Sequence, residues 1–180
     1  MHAYYPRPAI AVNENGTYTY EMPPEIESHG FPGHLIRRLH QVSTQTFQRR
    51  VEAAGSDLTP VQFAAMDAVL ACPGLDQAAV GEVIGCDRAT IGGVVDRLAQ
   101  KGLVTRAVSP RDRRAREVRA TPAGAAAMDA LRPVVRALQD EILAALAPEE
   151  RAAFVALAAK AVGPDPSPRP SSPDPAPATG

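Results

Sequence analysis

LDQAAVGEVIGCDRATIGGVVDRLAQKGLVTRAVSPRDRRAREVRATPAG, residues 75–124, holds two short helices, a tight turn and a basic hairpin in that order. Asp76 is placed to cap a helix over 76–84, with Leu75 and Val80 as a hydrophobic staple across the cap. Gly85 follows as a left-handed C-cap. Asp87 caps the next helix, 87–100. Its Ile91, Val94, Val95 and Leu98 recur at i, i+3, i+4 and i+7, a single apolar stripe. Gly102 closes it. Residues 103–108 and 115–121 then read as two strands joined by Ser109-Pro110-Arg111-Asp112-Arg113-Arg114.

Helix, turn, helix and then strand, loop, strand is the order of a winged helix-turn-helix. The predicted fold class is therefore mainly α with a small β-wing, flanked by long helices. With the apolar stripe facing inward, the first turn of the 87–100 helix offers Arg88, Ala89 and Thr90 to a major groove, and Arg97 is placed for a phosphate. Gly92 and Gly93 each cost about 1 kcal/mol inside a helix. Close packing of the two short helices or close approach to DNA would offset that cost. Packing suits Gly92, and Gly93 is open to either explanation.

Working outward, the stretch 32–54 reads as a helix with Leu35, Leu39, Val42 and Phe47 on one side, ended by Gly55. Thr59-Pro60-Val61-Gln62 is a capping box with proline at the first helical position, opening a helix over 59–71 with Leu58 and Phe63 as a staple. Thr121-Pro122 begins a long helix to about 146, which Pro133 is expected to kink. Pro148 opens a last helix to 162 behind a weak cap, Ala147. The arm 1–31 reads as irregular, with a hairpin signal at Asn15-Gly16. It is either a floppy arm or one that packs on a partner subunit. Residues 163–180 hold seven prolines and read as a disordered tail.

The net charge of −1 argues against nucleic acid until its distribution is considered. Between Arg106 and Arg119 six arginines face two acids, Asp112 and Glu117. Arg111, Arg113 and Arg114 at a hairpin tip suit a narrow minor groove. Asp112 would pair with a neighbouring arginine and hold the loop's shape. A winged helix that serves only as a protein-interaction module, the competing reading, predicts an acidic or apolar wing. No nucleophile elbow, phosphate loop, dinucleotide fingerprint or metal-ligand spacing occurs, so neither an enzyme nor a cofactor is expected. With no signal pattern and no apolar run near the ~20 residues of a membrane span, the expected location is the cytoplasm. Cys72 reads as a small apolar filler. Cys86 precedes a helix N-terminus, which is expected to lower its pKa and would permit a redox role.

Residues 58–124 resemble the MarR family of bacterial regulators. The match rests on Leu58-Thr59-Pro60-Val61-Gln62-Phe63, Asp87-Arg88-Ala89-Thr90-Ile91, Val95-Asp96-Arg97-Leu98 through Lys101-Gly102-Leu103-Val104, and the wing through Thr121-Pro122-Ala123-Gly124. With the flanking helices it covers about 32–162. The resemblance implies a homodimer held by helices 32–54, 122–146 and 148–162. It also implies binding to a palindromic duplex operator, usually as a repressor relieved by a small molecule. It places Arg88, Ala89, Thr90 and Gly93 at recognition-helix contacts, Arg113 and Arg114 at the wing tip, and Asp112 as the acid that organises the loop. Ser109 and Ala120 depart from the pattern, where the family often has Asp and Leu. The effector cleft implied by the family lies between the dimer helices and the DNA-binding lobe, here the first helix against the second. There His34 and Arg38, four residues apart, could hold a carboxylate and a phenol-like oxygen, with Gln41 and Phe63 completing the set. The same side chains also suit a plain surface or a dimer salt bridge. The stretch Gly33–Leu39 together with Leu58–Phe63 is similar to family members that sense aromatic acids.

Overall fold

The computed structural model describes residues 9–12, 15, 18–21, 26–108 and 116–163. They fall into two compact units, 1–45 and 46–180.

The first unit holds a two-stranded antiparallel hairpin, β1 (Ala9–Val12) and β2 (Tyr18–Glu21), in register Ala9 with Glu21 and Val12 with Tyr18. A short 3-10 helix, Glu27–Gly30, follows, and then the start of α1 (Pro32–Ala53). The arm expected to be irregular thus holds a strand pair, on either side of its predicted turn signal.

The second unit contains the end of α1, then α2 (Pro60–Ala71), α3 (Gln77–Val83), α4 (Arg88–Gln100), β3 (Val104–Val108), β4 (Arg116–Ala120), α5 (Pro122–Ile142) and α6 (Pro148–Val162). The caps form as their residue types require. The Thr59 N–H donates to Gln62 Oε1 at 3.1 Å, and the Gln62 N–H returns to Thr59 Oγ1 at 3.3 Å. Asp76 Oδ1 accepts from the Ala79 N–H at 2.8 Å. Thr121 Oγ1 accepts from the Gly124 N–H at 3.0 Å.

Gly85 ends α3 at φ +65°. There the Cys86 N–H bonds the Gly81 carbonyl at 2.8 Å and the Gly85 N–H bonds Glu82. This double closure, which needs a left-handed residue, makes the turn of the helix-turn-helix. Gly102, φ +71°, ends α4 in the same way through Leu103 to Leu98 and Gly102 to Ala99.

One core joins these elements. Met66 of α2, Val80 of α3, Ile91, Val95 and Leu98 of α4, Val118 of β4 and Met128 of α5 are all essentially fully buried in it. β3 and β4 pair antiparallel, Val104 with Ala120 and Val108 with Arg116. The segment before α3 joins the open edge of β4: the Val118 N–H donates to the Leu75 carbonyl at 2.9 Å, and Asp76 bridges Glu117. The wing is thereby tied to the start of the helix-turn-helix.

α5 ends at Ile142, not near 146. Ala144 bonds back to Glu141 and Leu146 to Leu143, tighter three-residue closures. Ala147 is extended at ψ 154°, as a residue before proline must be, so the chain leaves the helix ahead of it. α5 runs as one helix through Pro133. Ala147 lacks a capping side chain, and Glu150 reaches back to its N–H instead at 2.8 Å.

Candidate nucleic-acid interface

α4 separates its two faces cleanly. Ile91, Val94, Val95 and Leu98 are buried, while Arg88, Ala89, Thr90, Gly93 and Arg97 are all exposed. The five predicted contact residues of this helix therefore lie on its solvent side. Neither Arg88 nor Arg97 has a carboxylate partner among the described residues.

The cap of α4 changes the reading of Thr90. Asp87 Oδ1 accepts the Ala89 and Thr90 N–H groups, both at 2.9 Å, and Oδ2 accepts the Thr90 hydroxyl at 2.7 Å. The Thr90 hydroxyl hydrogen bond, then its backbone N–H, holds the Asp87 carboxyl below the usual carboxylate range. The Thr90 proton is thus committed to the cap, which leaves its methyl group and oxygen lone pairs for a base edge. The same carboxylate takes the Ala89 and Thr90 amides, which leaves fewer N-terminal donors of α4 for a phosphate.

The two glycines separate as well. A Cβ on Gly93 would meet nothing within 4 Å. Among the described residues no packing reason requires glycine there. A Cβ on Gly92 would meet only the end of the Gln77 side chain, at 3.3 Å. The close α3–α4 approach is instead made by Gly81, whose Cβ would lie 3.0 Å from the Cys86 carbonyl oxygen and 3.3 Å from Ile91 Cγ2.

The arginine run is not uniform. Arg106 pairs with Asp96 of α4 at 2.6 Å and donates to Gln77 Oε1 at 3.2 Å, bracing β3 against α3 and α4. Arg119 donates through Nε and Nη2 to Glu117 Oε2, at 3.2 and 2.8 Å. Both were counted in the excess charge, yet each has an internal partner. Arg116 is exposed with no carboxylate partner among the described residues, and its place in the run was its signal. Arg111, Asp112, Arg113 and Arg114 lie outside the described residues.

Cys86 overturns an expectation. Its thiol is pushed up by desolvation and then by the Asp87 charge, not down. Asp87 takes the Ala89 and Thr90 amides and sets its own charge beside the thiol, which removes the expected reason for a stabilised thiolate.

Of the predicted effector residues, His34, Arg38 and Gln41 lie on the α1 segment of the first unit. The His29 and His34 rings stack at 4.6 Å. His34 is held below its ordinary pKa by desolvation, then by the charges of His29, Arg37 and Arg38. Phe63 belongs to the second unit, where its half-buried ring meets Phe47 edge-on at 5.8 Å. Among the described residues no group of three or more metal-ligating side chains is gathered. No described helix is long and apolar enough to cross a membrane.

A model of the MarR family matches residues 56–115, a range that takes in α2, α3, α4 and β3. The repressor NicR of Pseudomonas putida is 35% identical over 133 residues, 74% of this chain and 83% of that protein. The chain belongs to the MarR family. As a MarR-family protein it is a DNA-binding transcription regulator built on a winged helix-turn-helix. The fold is similar to that of Bordetella bronchiseptica BpsR, whose DNA binding is regulated by 6-hydroxynicotinic acid, with a TM-score of 0.71, 31% identity and coverage of 79% of this chain and 100% of that one. It is similar also to the repressor CouR bound to a 23-mer DNA duplex, with a TM-score of 0.70, 25% identity and coverage of 79% and 99%.

Proposed function

We propose that this MarR-family regulator acts as a homodimeric repressor on a palindromic operator and is released by a small aromatic acid. The observation that carries the reading is the exposed face Arg88, Ala89, Thr90, Gly93 and Arg97, fixed by a fully buried stripe and opened at Gly93 where no intramolecular contact needs a glycine. α4 reads base edges in the major groove, while Arg97, Arg116 and the wing arginines 111, 113 and 114, with Asp112 shaping the loop, hold phosphates and the minor groove. A module that binds only protein has no use for that division. Dimerisation through α1, α5 and α6 accounts for the apolar side chains left exposed on α6, Val155, Leu157 and Val162.

The effector carboxylate is assigned to His34 and Arg38, with Gln41 one turn further along α1; Phe63, the fourth predicted residue, belongs to the second unit. The cationic neighbourhood of His34 favours an anion, and its lowered pKa leaves a neutral ring that can hydrogen-bond a phenol or pyridone oxygen. NicR, a transcriptional repressor, and BpsR, whose DNA binding is regulated by 6-hydroxynicotinic acid, support this reading. The protein works without catalytic groups or cofactor, in the cytoplasm.

The test combines fluorescence anisotropy of a selected duplex with a thermal-shift screen of aromatic acids. A ligand at 100 times its dissociation constant adds about 2.7 kcal/mol of stability. The reading expects carboxylate-bearing hits that also release the duplex, and loss of both effects in Arg38→Ala. Hits that stabilise the protein without releasing DNA would refute ligand-relieved repression.

A further inference from the structure

A cavity of about 500 Å3 lies between the end of α2 and β4, wholly within the second unit and away from the exposed face of α4. Val69, Leu70, Pro73 and Val118 give it apolar walls, and the small residues Gly74 and Ala120 leave it open. Its volume falls within the range of small-molecule sites, about 300–1,000 Å3. Its charged lining is one buried acid and one arginine. The Glu117 side chain is only 8% exposed, whereas Arg119 is 54% exposed.

The geometry of that pair matters. Glu117 Oε2 takes both bonds on one edge of the guanidinium, from Nε and Nη2. A guanidinium has five donors in a fixed plane, so the Nη1 edge keeps its donors while the buried acid fixes the plane. An arginine oriented in this way loses little freedom on taking a second carboxylate. A cation would meet Arg119 before it reached Glu117, and a wholly apolar ligand would leave the guanidinium edge unused.

We propose that this cavity is a second small-molecule site, for a compact apolar acid whose carboxylate bonds the free edge of Arg119 and whose body packs on Leu70, Pro73 and Ala120. It is separate from the effector position assigned on α1 and stands whether or not that assignment holds. Glu117 is a positioning residue in this site and does not touch the ligand.

The experiment is a titration of the full-length protein with benzoate, and with benzamide as the uncharged control, followed by methyl NMR of Val69, Leu70 and Val118. Benzoate should shift these methyls saturably, and benzamide at least tenfold more weakly. Ala120→Leu fills the cavity without changing charge and should weaken benzoate at these methyls at least tenfold. Arg119→Gln should do the same, and Arg38→Ala should leave the response unchanged. Equal responses to benzoate and benzamide, no shift at these methyls up to saturating benzoate, or a response that survives in Ala120→Leu would each overturn the site. The contrast between the two ligands is read on unaltered protein, so it holds even if a variant folds poorly. Loss of the response in Arg38→Ala would assign the shifts to the α1 site and also overturn the proposal.

Discussion

Gly124 sits at the third position of α5 and is buried under the start of the wing. A Cβ built there would lie 2.1 Å from the Leu103 carbonyl oxygen and 2.9 Å from Met66 Cε. That oxygen cannot move aside freely, because it accepts the Thr121 N–H at 3.0 Å and the Thr121 hydroxyl at 3.2 Å. Met66 is fully buried as well. Gly124→Ala gains up to about 1 kcal/mol of helix propensity. Against that stand overpacking of about 1–3 kcal/mol and the loss or stretching of a carbonyl hydrogen bond worth about 1 kcal/mol. The net expectation is a loss of about 2 kcal/mol, or a fall in Tm of roughly 5–10 °C for a domain of this size. Thermal unfolding followed by circular dichroism at one fixed protein concentration measures it, since dimerisation makes Tm concentration-dependent. An unchanged or higher Tm would show that the helix simply accepts the methyl group. The close seating of α5 on the wing would then be wrong.

Gly93→Ala should do the opposite. With nothing within 4 Å of its Cβ, the variant gains up to about 1 kcal/mol of stability, while its affinity for the selected duplex falls tenfold or more; stabilisation with unchanged DNA affinity would take Gly93 out of the interface. Glu141 is held below its ordinary 4.5 chiefly by the hydrogen bond from Arg50. A lowered folded pKa contributes stability that is present above 4.5 and lost as pH falls through the folded value. Glu141→Gln should therefore be less stable than the parent from pH 6 to 8 and converge with it in acid, and a gap that persists there would deny the pair its role. Replacing Arg113 and Arg114 together by Ala should weaken binding to all duplexes alike, whereas Thr90→Ala should alter sequence preference. The same response from both would dissolve the division between backbone and base readers.

Local chemistry is what the amino-acid sequence displayed best. Thr59 with Gln62, Asp76, Asp87 and Thr121 are caps whose partners lie within three residues, so the starts of α2 to α5 followed from neighbours in the chain, whereas the end of α5 at Ile142 did not. Gly85 and Gly102 were legible for the same reason. What stayed hidden depends on groups far apart in sequence. Arg106 finds Asp96 and Gln77 only after the wing folds onto α3 and α4. Arg119 is bound to an acid two residues away, yet its meaning comes from the burial of Glu117 against Gly74, which a strand pattern does not reveal. Gly81 and Gly124 look ordinary until another element's backbone is seen against them. Cys86 departs from its expectation because desolvation, and then the Asp87 charge, raises its pKa, and burial is not legible from a place before a helix. The near-neutral charge was correctly seen as segregated, but two of the six arginines in the run serve the fold.

The central claim is that α4 and the wing grip duplex DNA. It is tested most directly by measuring affinity for a selected duplex by anisotropy across a series of salt concentrations. If the dimer neutralises about eight phosphates, log K should fall against log salt with a slope near −7. An affinity that does not change with salt would contradict the account.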